Sequence, residues 1–441
     1  MGKKKEAPAD FRYGTGPARV PWCAVGEAID TSEAEKVIEF LLPPGADKVA
    51  RHAALLRKVK GEIRALGRAS GRATKLSLGK NVKALEEEAA KFLHAKYACF
   101  VTNATAGFEI GFRYANLGPG DEIIAPAITF IATIAYPMAV GAKVVLADVD
   151  PRTINMDPAD VERKITKRTK VIIPVHIGGY PVEMDKIMVL ARRHNLVVIE
   201  DAAHAFGGKY HGKMVGAIGH FGSFSFHEVK NINSFGEGGL LVSNLPVGRS
   251  FPQTRFLGLD PSRKIRHWLY DVVAVRGKYG PFACNNASST EIQALVLREQ
   301  MKRLNAIISK RRAAARYLNS RLRGVKGIIT PLLDSPGIVP AHHLYLLQVD
   351  HEVLGADVQV LKKKLTDRGV TNIPHFAPLY KFMVMRQMGY NTKAIEASCP
   401  NAEMVFRRRF THLPLYDFTK PQLRYMADAV LESVNEMRAG R

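Results

Sequence analysis

The chain has 441 residues, of which 46% are hydrophobic and 24% are charged, so it is long enough to bury a large core in two or three domains. Its longest apolar stretch is too short to span a bilayer, no secretory signal is recognised, and its four cysteines lack the paired spacing of a metal site. We therefore expect a globular protein of the reducing cytoplasm, with no bound metal.

The net charge of +23, from 64 basic and 41 acidic residues, admits two interpretations. A basic surface attracts nucleic acid, and it also attracts small anions such as phosphates and nucleotide-linked substrates. The basic residues are spread along the chain, without interleaved aromatic residues or zinc-finger spacing. The pattern therefore favours small anionic molecules, or simply a solvated basic surface, over nucleic acid as a partner.

The N-terminal region is predicted to be irregular at first and helical afterwards. Residues 1–30 contain prolines among glycines, which is typical of irregular structure. From residue 31 to 68, apolar residues recur at helical spacing, with a break at Pro-Pro-Gly 43–45, and residues 83–94 show another amphipathic pattern. We assign residues 1–68 to an N-terminal extension with helices.

Short apolar runs then alternate with helical patterns. The runs, which predict strands, lie at 98–102, 122–125, 143–147, 171–175 and 196–199, and the helical patterns between them lie at 106–115, 130–140 and 185–194. Such alternation predicts a mainly parallel sheet covered by helices. Two further strands are predicted at 222–226 and 239–243. Residues 69–300 are therefore predicted to form a large α/β domain.

The C-terminal part of the chain is predicted to be a smaller α+β domain. A single long helix is expected from 289 to 322, where it joins the large domain to the rest. A strand pattern at 343–349 follows it, with helical patterns at 358–368 and 422–437. We assign residues 301–441 to the linking helix and the small domain.

An acidic pair, Glu200 and Asp201, follows the apolar run that ends at residue 199. Ligands of open α/β sheets bind at the carboxyl ends of strands, where an acid can hold a cationic group. Pyridoxal phosphate (PLP) has such a group, because its pyridinium nitrogen needs an acidic partner to act as an electron sink. The alternative is that Asp201 only caps the next helix.

Lys230 lies just past the strand predicted at 222–226 and before a glycine-rich turn. Phenylalanines at 224, 226 and 235 flank it, which predicts a partly enclosed position. A lysine in such a site has a lowered pKa and acts as an amine nucleophile, so Lys230 is the candidate to hold PLP as a Schiff base. The neighbouring residues expected to donate to a phosphate, or to let the backbone turn near it, are Ser223, Ser225, Gly236, Gly238 and Gly239.

The segment Thr-Asn-Ala-Thr-Ala-Gly at 102–107 follows a predicted strand and precedes a predicted helix. Its small residues leave backbone N–H groups open at a helix N-terminus, which is a ready anion site. An ordinary loop between a strand and a helix is the alternative interpretation. By itself the segment is only a weak indication of a phosphate site.

These segments resemble the DegT/DnrJ/EryC1/StrS family of PLP-dependent sugar aminotransferases, which have the fold-type-I architecture of aspartate aminotransferase. The most specific part is the unit formed by Glu-Asp-Ala-Ala-His at 200–204, Ser-Phe-His-Glu-Val-Lys-Asn at 225–231 and Gly-Glu-Gly-Gly at 236–239. The resemblance covers roughly residues 70–435, with further motifs at 118–122, 126–133, 141–151 and 174–179 and weaker ones at 343–345 and 413–416. It implies an α/β large domain with a mainly parallel sheet and a smaller C-terminal α+β domain.

The resemblance also implies a role for each residue that matches a motif. Lys230 would form the Schiff base and then shuttle the substrate proton, while Asp201 would pair with the pyridinium nitrogen. His204 would lie near the PLP hydroxyl and Phe130 would stack on its ring. The residues that would hold the phosphate are Ala104, Thr105 and Ser225, together with Asn286 from the partner subunit. That last role implies a homodimer with shared active sites.

The implied activity is an amino transfer from glutamate to a keto sugar in nucleotide-linked form, in amino-sugar, polysaccharide or antibiotic biosynthesis. The same reaction on a keto-cyclitol or another antibiotic precursor is the alternative, because the segment 285–289 lacks the aromatic residue and the arginine that relatives have there. Dehydratase relatives replace the lysine with histidine, so Lys230 argues against dehydration. A non-catalytic basic binding or regulatory protein is the hypothesis from a different class.

Overall fold

The structure is a computed structural model, and it describes residues 29–71, 75–259, 272–373 and 376–439. The irregular start predicted for residues 1–30 lies almost wholly outside the described residues. Within the described ranges, no helix is both long enough and apolar enough to cross a membrane.

The described residues form helices and strands that follow the predicted order closely. In chain order the helices are α1 (Thr31–Leu41), α2 (Val49–Ala69), α3 (Lys80–Leu93), α4 (Ala104–Tyr114), α5 (Ala132–Ala139), α6 (Pro158–Lys164), α7 (Met184–Arg193), α8 (Phe251–Arg255), α9 (Glu291–Met301), α10 (Leu304–Leu322), α11 (His351–Leu354), α12 (Val358–Asp367), α13 (Met383–Gln387), α14 (Thr392–Ala397), α15 (Pro400–Met404) and α16 (Lys420–Ala439). The strands are β1 (Tyr97–Val101), β2 (Glu122–Pro126), β3 (Lys143–Ala147), β4 (Thr169–Ile172), β5 (Val197–Asp201), β6 (Lys209–Tyr210), β7 (Lys213–Met214), β8 (Phe221–Ser225), β9 (Gly239–Ser243), β10 (Val275–Arg276), β11 (Pro281–Phe282), β12 (Ile328–Ile329), β13 (Ile338–Val339), β14 (Leu344–Val349) and β15 (Phe410–Pro414).

Seven strands form the central sheet, in the order β1-β9-β8-β5-β4-β2-β3. Strands β3, β2, β4, β5 and β8 are parallel, and β9 runs antiparallel between β8 and β1. The prediction of a mainly parallel sheet is therefore confirmed. Because β1, β5 and β8 point the same way, the residues that follow them meet at one edge of the sheet, where ligands of this architecture bind.

The sheet is buried on both faces, as the apolar runs predict. Successive residues alternate between two cores, with Ile123 and Ile199 in one and Ile124 and Val198 in the other. This alternation follows from the two-residue period of a strand. Helix α4 lies on the first face and α3 on the second, so the sheet edge that follows β1, β5 and β8 is held rigidly between packed layers.

The single helix predicted from 289 to 322 is wrong, because the structure contains two helices, α9 and α10, that are separated at residues 302–303. The buried residues of α9, Ala294 and Leu297, pack in the large-domain core. The C-terminal half of α10, including Leu318 and Leu322, packs in a separate C-terminal core. The N-terminal half of α10, including Leu304 and Ile308, also packs in the large-domain core, so α10 itself joins the two cores. Neither proline nor glycine marks the break between α9 and α10.

The C-terminal region is an α+β unit, as predicted. Its antiparallel sheet has the order β12-β14-β15 and packs with α10, α12 and α16 around one apolar core. The domain boundaries at 68/69 and 300/301 remain predictions. At the other end of the chain, α1 and α2 form a hairpin that is linked by the ion pairs Glu35–Arg64 and Glu39–Lys60, and no residue of α2 is buried.

Candidate active site

Asp201 ends β5 and is buried, and both of its carboxylate oxygens accept hydrogen bonds. The hydroxyl of Thr133 donates to Oδ2 at 2.8 Å, and the backbone N–H of Ala203 donates to Oδ1 at 3.2 Å. Since Thr133 donates its proton here, the 2.8 Å bond between Thr129 and Thr133 must be donated by Thr129. No helix of the described residues begins at Asp201, so the interpretation of Asp201 as a helix cap is wrong.

Opposing effects act on the pKa of Asp201. Burial raises this pKa, while the hydrogen bonds from Thr133 and Ala203 and the charge of Lys230 lower it. The hydrogen bonds fix the orientation of the carboxylate, which is directed to the carboxyl edge of the sheet. A buried acid in this position is suited to hold a cationic ring nitrogen.

Lys230 is half-buried in the turn that follows β8. Burial lowers the pKa of its amine to about 8, and the nearby carboxylate of Asp201 opposes this shift. Among the described residues, its Nζ forms neither a hydrogen bond nor an ion pair. A lowered pKa leaves more of the amine neutral at a given pH, which suits a nucleophile, and the role of Lys230 in holding the cofactor remains a prediction.

The lysine shares a small pocket with aromatic and polar side chains. The pocket is lined by Ala203, His204, Phe206, Ser225, Phe226, Lys230, Asn231, Ile232 and His343. The chain thus brings Ser225, His204 and Lys230 together, as the motifs predict.

Two histidines of the pocket have defined protonation states. Nδ1 of His204 accepts a 3.3 Å bond from the N–H of Gly178, so its proton lies on Nε2. The amide of Asn231 donates to the carbonyl of Ala341, so its oxygen accepts from Nδ1–H of His343 at 3.0 Å. Burial and neighbouring cations lower the pKa of His343 well below its ordinary value, so His343 is neutral.

An aromatic wall lies beside these histidines. The ring of Phe376 stacks on His204 with 5.8 Å between centroids and packs against Phe130 at 5.6 Å. Phe130 itself is 53% exposed, so part of its ring is accessible to a flat ligand.

The N-terminus of α4 supplies an anion cradle. The side chain of Asn103 caps this helix by accepting from the N–H of Ala106 at 3.0 Å. Within the described part of the chain, the N–H groups of Ala104 and Thr105 form no hydrogen bond, so they can donate to an anion. Gly239 of β9 lies against this loop, and a Cβ there would come within 2.2 Å of the carbonyl carbon of Asn103.

The prediction that Ser223 donates to a phosphate is wrong. Ser223 is fully buried, and its hydroxyl donates to the carbonyl of Ala104 at 2.9 Å. It therefore holds the cradle loop against the sheet and is not accessible to a ligand. Ser225, two residues later in β8, is half-buried and lines the pocket.

Asn286 lies apart from the other candidates. It is exposed in the segment between β11 and α9, and its side chain accepts from the N–H of Ser288 at 3.0 Å. Among the described residues, no hydrogen bond connects its side chain to Lys230 or Asp201. Its predicted role in a neighbouring subunit remains a prediction.

Sequence reasoning missed three supporting residues: Thr133, Asn231 and His343. Each lies inside or beside a motif that marks the family, but only the folded chain shows which atoms they contact. Thr133 is 68 residues from the carboxylate that it orients, and His343 is 112 residues from Asn231.

The model of the DegT/DnrJ/EryC1/StrS aminotransferase family matches residues 58–431 of the chain. The chain belongs to this family. Members are PLP-dependent aminotransferases of fold type I, so the enzyme is an aminotransferase that uses PLP. Among curated relatives, the spore coat polysaccharide biosynthesis protein SpsC of Bacillus subtilis is 34% identical over 375 residues, which cover 83% of this chain and 91% of that protein.

Solved structures of the family share the same fold. A protein of Streptococcus pneumoniae described as a sugar aminotransferase, in its PLP form, matches with a TM-score of 0.72 and 25% identity over 83% of this chain and 94% of its own. DesV of S. venezuelae matches with a TM-score of 0.70 and 28% identity over 93% of this chain and 99% of its own. For 3-amino-5-hydroxybenzoic acid synthase the TM-score is 0.71 and the identity 27%, over 81% and 91% of the two chains.

The described residues fit PLP on their own chemistry. The buried acid suits the ring nitrogen of the cofactor, and the amine of lowered pKa suits its aldehyde. The two unbonded N–H groups at the N-terminus of α4 suit the phosphate, and the exposed aromatic side chain suits the ring. When bound, PLP supplies an electron sink for bonds at the carbon that carries the amino group.

Proposed function

We propose that this aminotransferase moves an amino group from glutamate to a keto sugar, in nucleotide-linked form, for amino-sugar, polysaccharide or antibiotic biosynthesis. The observation that carries the site is a buried acid, Asp201, close enough to the amine of Lys230 to affect its pKa, which burial lowers to about 8. Relatives described as acting in polysaccharide biosynthesis and as sugar aminotransferases support the substrate class.

In this proposal each residue has one task. Asp201 holds the proton on the ring nitrogen, with Thr133 orienting its carboxylate. Lys230 binds the cofactor covalently and, once released, moves a proton to and from the carbon that gains or loses the amino group. Nε2–H of His204 donates to the ring hydroxyl, and the ring of Phe130 covers one face of the cofactor. The phosphate accepts from the N–H groups of Ala104 and Thr105 and from the hydroxyl of Ser225.

The charge of the chain supports an anionic acceptor. A net charge of +23 attracts a nucleotide diphosphate by long-range electrostatics. An acceptor without phosphates, such as a keto-cyclitol or another ring ketone, is the second candidate, because one structural relative makes 3-amino-5-hydroxybenzoic acid.

A substrate panel tests the proposal directly. The PLP-loaded enzyme is first converted to its amino form with each of several amino acids, and the visible absorbance is followed. Keto sugars with and without a nucleotide diphosphate, and a keto-cyclitol, are then tested as acceptors. We expect glutamate to be the best donor and a nucleotide-linked keto sugar the best acceptor. Faster amination of the keto-cyclitol than of every sugar would contradict the proposal.

We also propose a homodimer in which Asn286 of one chain reaches the phosphate site of its partner. We expect Asn286→Asp to be nearly inactive, because an added carboxylate repels the phosphate, while Asn285→Asp serves as the matched control. The Asn286→Asp chains are then mixed with inactive Lys230→Ala chains under conditions of subunit exchange. In each mixed dimer, one active site contains both substitutions and the other contains neither. Random pairing then leaves about a quarter of all sites intact, so activity reappears. Proven exchange without recovery would show that the site lies within one chain.

A further inference from the structure

Arg311 lies on α10, where it contacts His343 and Tyr416. It is only 8% exposed, and its Nη1 donates to the backbone carbonyl of His343 at 3.2 Å. Its guanidinium carbon lies 5.9 Å from the ring centroid of Tyr416, which is 55% exposed. His343 and Tyr416 belong to two of the family motifs, and His343 lines the pocket that contains Lys230. Arg311 therefore contacts a residue of this pocket directly.

The guanidinium of Arg311 lacks an acidic partner in the part of the chain that the structure describes. Its two neighbours on α10 are paired, Lys310 with Asp417 at 3.1 Å and Arg312 with Asp334 at 3.4 Å. Of the five N–H donors of an arginine, the structure assigns a single hydrogen bond to a described residue. A buried arginine is normally paired, because an isolated buried charge is costly.

The surroundings of Arg311 cannot neutralise it. Burial lowers its pKa to about 10, so the group still carries its charge at neutral pH. The pocket that contains His343 is lined by Lys230 and His204 and by no acid among the described residues. Asp201, at the edge of the sheet, already accepts from Thr133 and Ala203. The missing negative charge is therefore best supplied by a ligand.

We propose that Arg311 binds a carboxylate of the amino donor. A planar guanidinium matches a carboxylate with two parallel hydrogen bonds, and the donor must place its amino group within reach of Lys230. The cofactor phosphate is satisfied elsewhere, at Ala104 and Thr105. A nucleotide diphosphate carries more charge than one guanidinium neutralises, which favours the donor over the acceptor. The inference rests on the proposed function, because it assigns the donor as an amino acid.

The test compares Arg311→Met and Arg311→Lys with Arg312→Met, which removes the neighbouring arginine that already has an acidic partner. Calorimetry measures the binding of succinate, a dicarboxylate that carries no amino group and does not react. The donor half-reaction is then followed by visible absorbance with glutamate and with butylamine, which has no carboxylate. The acceptor half-reaction is measured separately on enzyme already in its amino form.

We expect Arg311→Met to weaken succinate binding and to lower kcat/KM for glutamate by about 10- to 100-fold, the size of a lost charge-assisted pair. In Arg311→Met, the rate with butylamine and the rate of the acceptor half-reaction should each change by less than about twofold. In Arg312→Met, all of these rates should change by less than about twofold. Arg311→Lys should recover part of the affinity, because it keeps the charge without the planar fork.

Three results would overturn the inference. One is unchanged succinate affinity in Arg311→Met, another is an equal loss with glutamate and butylamine, and the third is a loss confined to the acceptor half-reaction. Misfolding is checked by thermal unfolding, and Arg311→Met is expected to be at least as stable as the wild type because it removes an unpaired buried charge. If wild-type enzyme reacts with no amino acid at all, the proposed function fails together with the inference, whereas normal donor use in Arg311→Met refutes the inference alone.

Discussion

Replacing Lys230 with alanine is expected to lower turnover by at least about 10²- to 10⁴-fold, the contribution of a positioned proton-transfer group. The variant should also lose the covalent link to the cofactor. Borohydride reduction of wild-type holoenzyme, followed by peptide mass analysis, should place the cofactor tag on the peptide that contains Lys230. Lys213→Ala, at an exposed lysine of β7, is the matched control and should keep both the tag and the activity. A tag on a different lysine would refute the assignment.

The pH dependence of cofactor uptake follows from the pKa of Lys230. Burial lowers that pKa to about 8, so the neutral, nucleophilic fraction of the amine grows as pH rises and levels off above pH 8. At pH 7 about a tenth of the amine is neutral, whereas an ordinary lysine with a pKa near 10.4 is neutral in well under a thousandth of molecules. Cofactor uptake by the apo-enzyme should therefore rise to a midpoint near pH 8. A midpoint close to the ordinary lysine value would show that the amine is not enclosed.

Asp201 provides a second test of that midpoint. Its carboxylate raises the pKa of Lys230, in opposition to burial. Asp201→Asn removes the negative charge at nearly constant volume, so the midpoint of uptake should move to lower pH. An unchanged midpoint would mean that the two groups do not interact.

Asp201→Ala is expected to lose turnover by on the order of 10²- to 10³-fold, the size reported for removal of one preorganised electrostatic partner. Without the acid, the ring nitrogen is not held protonated and the electron sink is weak. The protein should remain folded, because burial already disfavours the charge of this carboxyl group. Thermal unfolding and the visible spectrum of the bound cofactor are the measurements. Near-normal turnover in a folded variant would show that Asp201 has a structural role and no role in catalysis.

Substitutions of Thr133 test the orientation of the Asp201 carboxylate without removing the carboxylate itself. Thr133→Val removes one of the two hydrogen bonds to Asp201 and should cost roughly 10-fold in turnover, with a shift in the cofactor spectrum. Thr133→Ser keeps the hydroxyl and should restore both. Because Thr133 acts through Asp201, adding Thr133→Val to Asp201→Ala should lower the rate no further.

The central sheet was predictable from the chain alone, and so were the positions of Asp201 at the end of β5 and of Lys230 beyond β8. Buried parallel strands are continuous apolar runs, and an acid or a lysine that follows such a run stands out against them. The break between α9 and α10 carries no local signal, since neither proline nor glycine lies between Met301 and Leu304. The contacts of Ser223, Thr133 and Arg311 join residues far apart in sequence, and a pattern of residue types does not specify such contacts.

Gly239 lies so close to Asn103 that the two sides of the proposed phosphate cradle differ in the substitutions they can accept. In the proposed cradle the anion would accept from the backbone N–H groups of Ala104 and Thr105, so the side chains of this loop are less constrained than its backbone. The glycine on the neighbouring strand has no such freedom, because even a methyl group would displace the loop. A tightly constrained position of the proposed cradle is thus Gly239, a residue that would offer the cofactor no side chain at all.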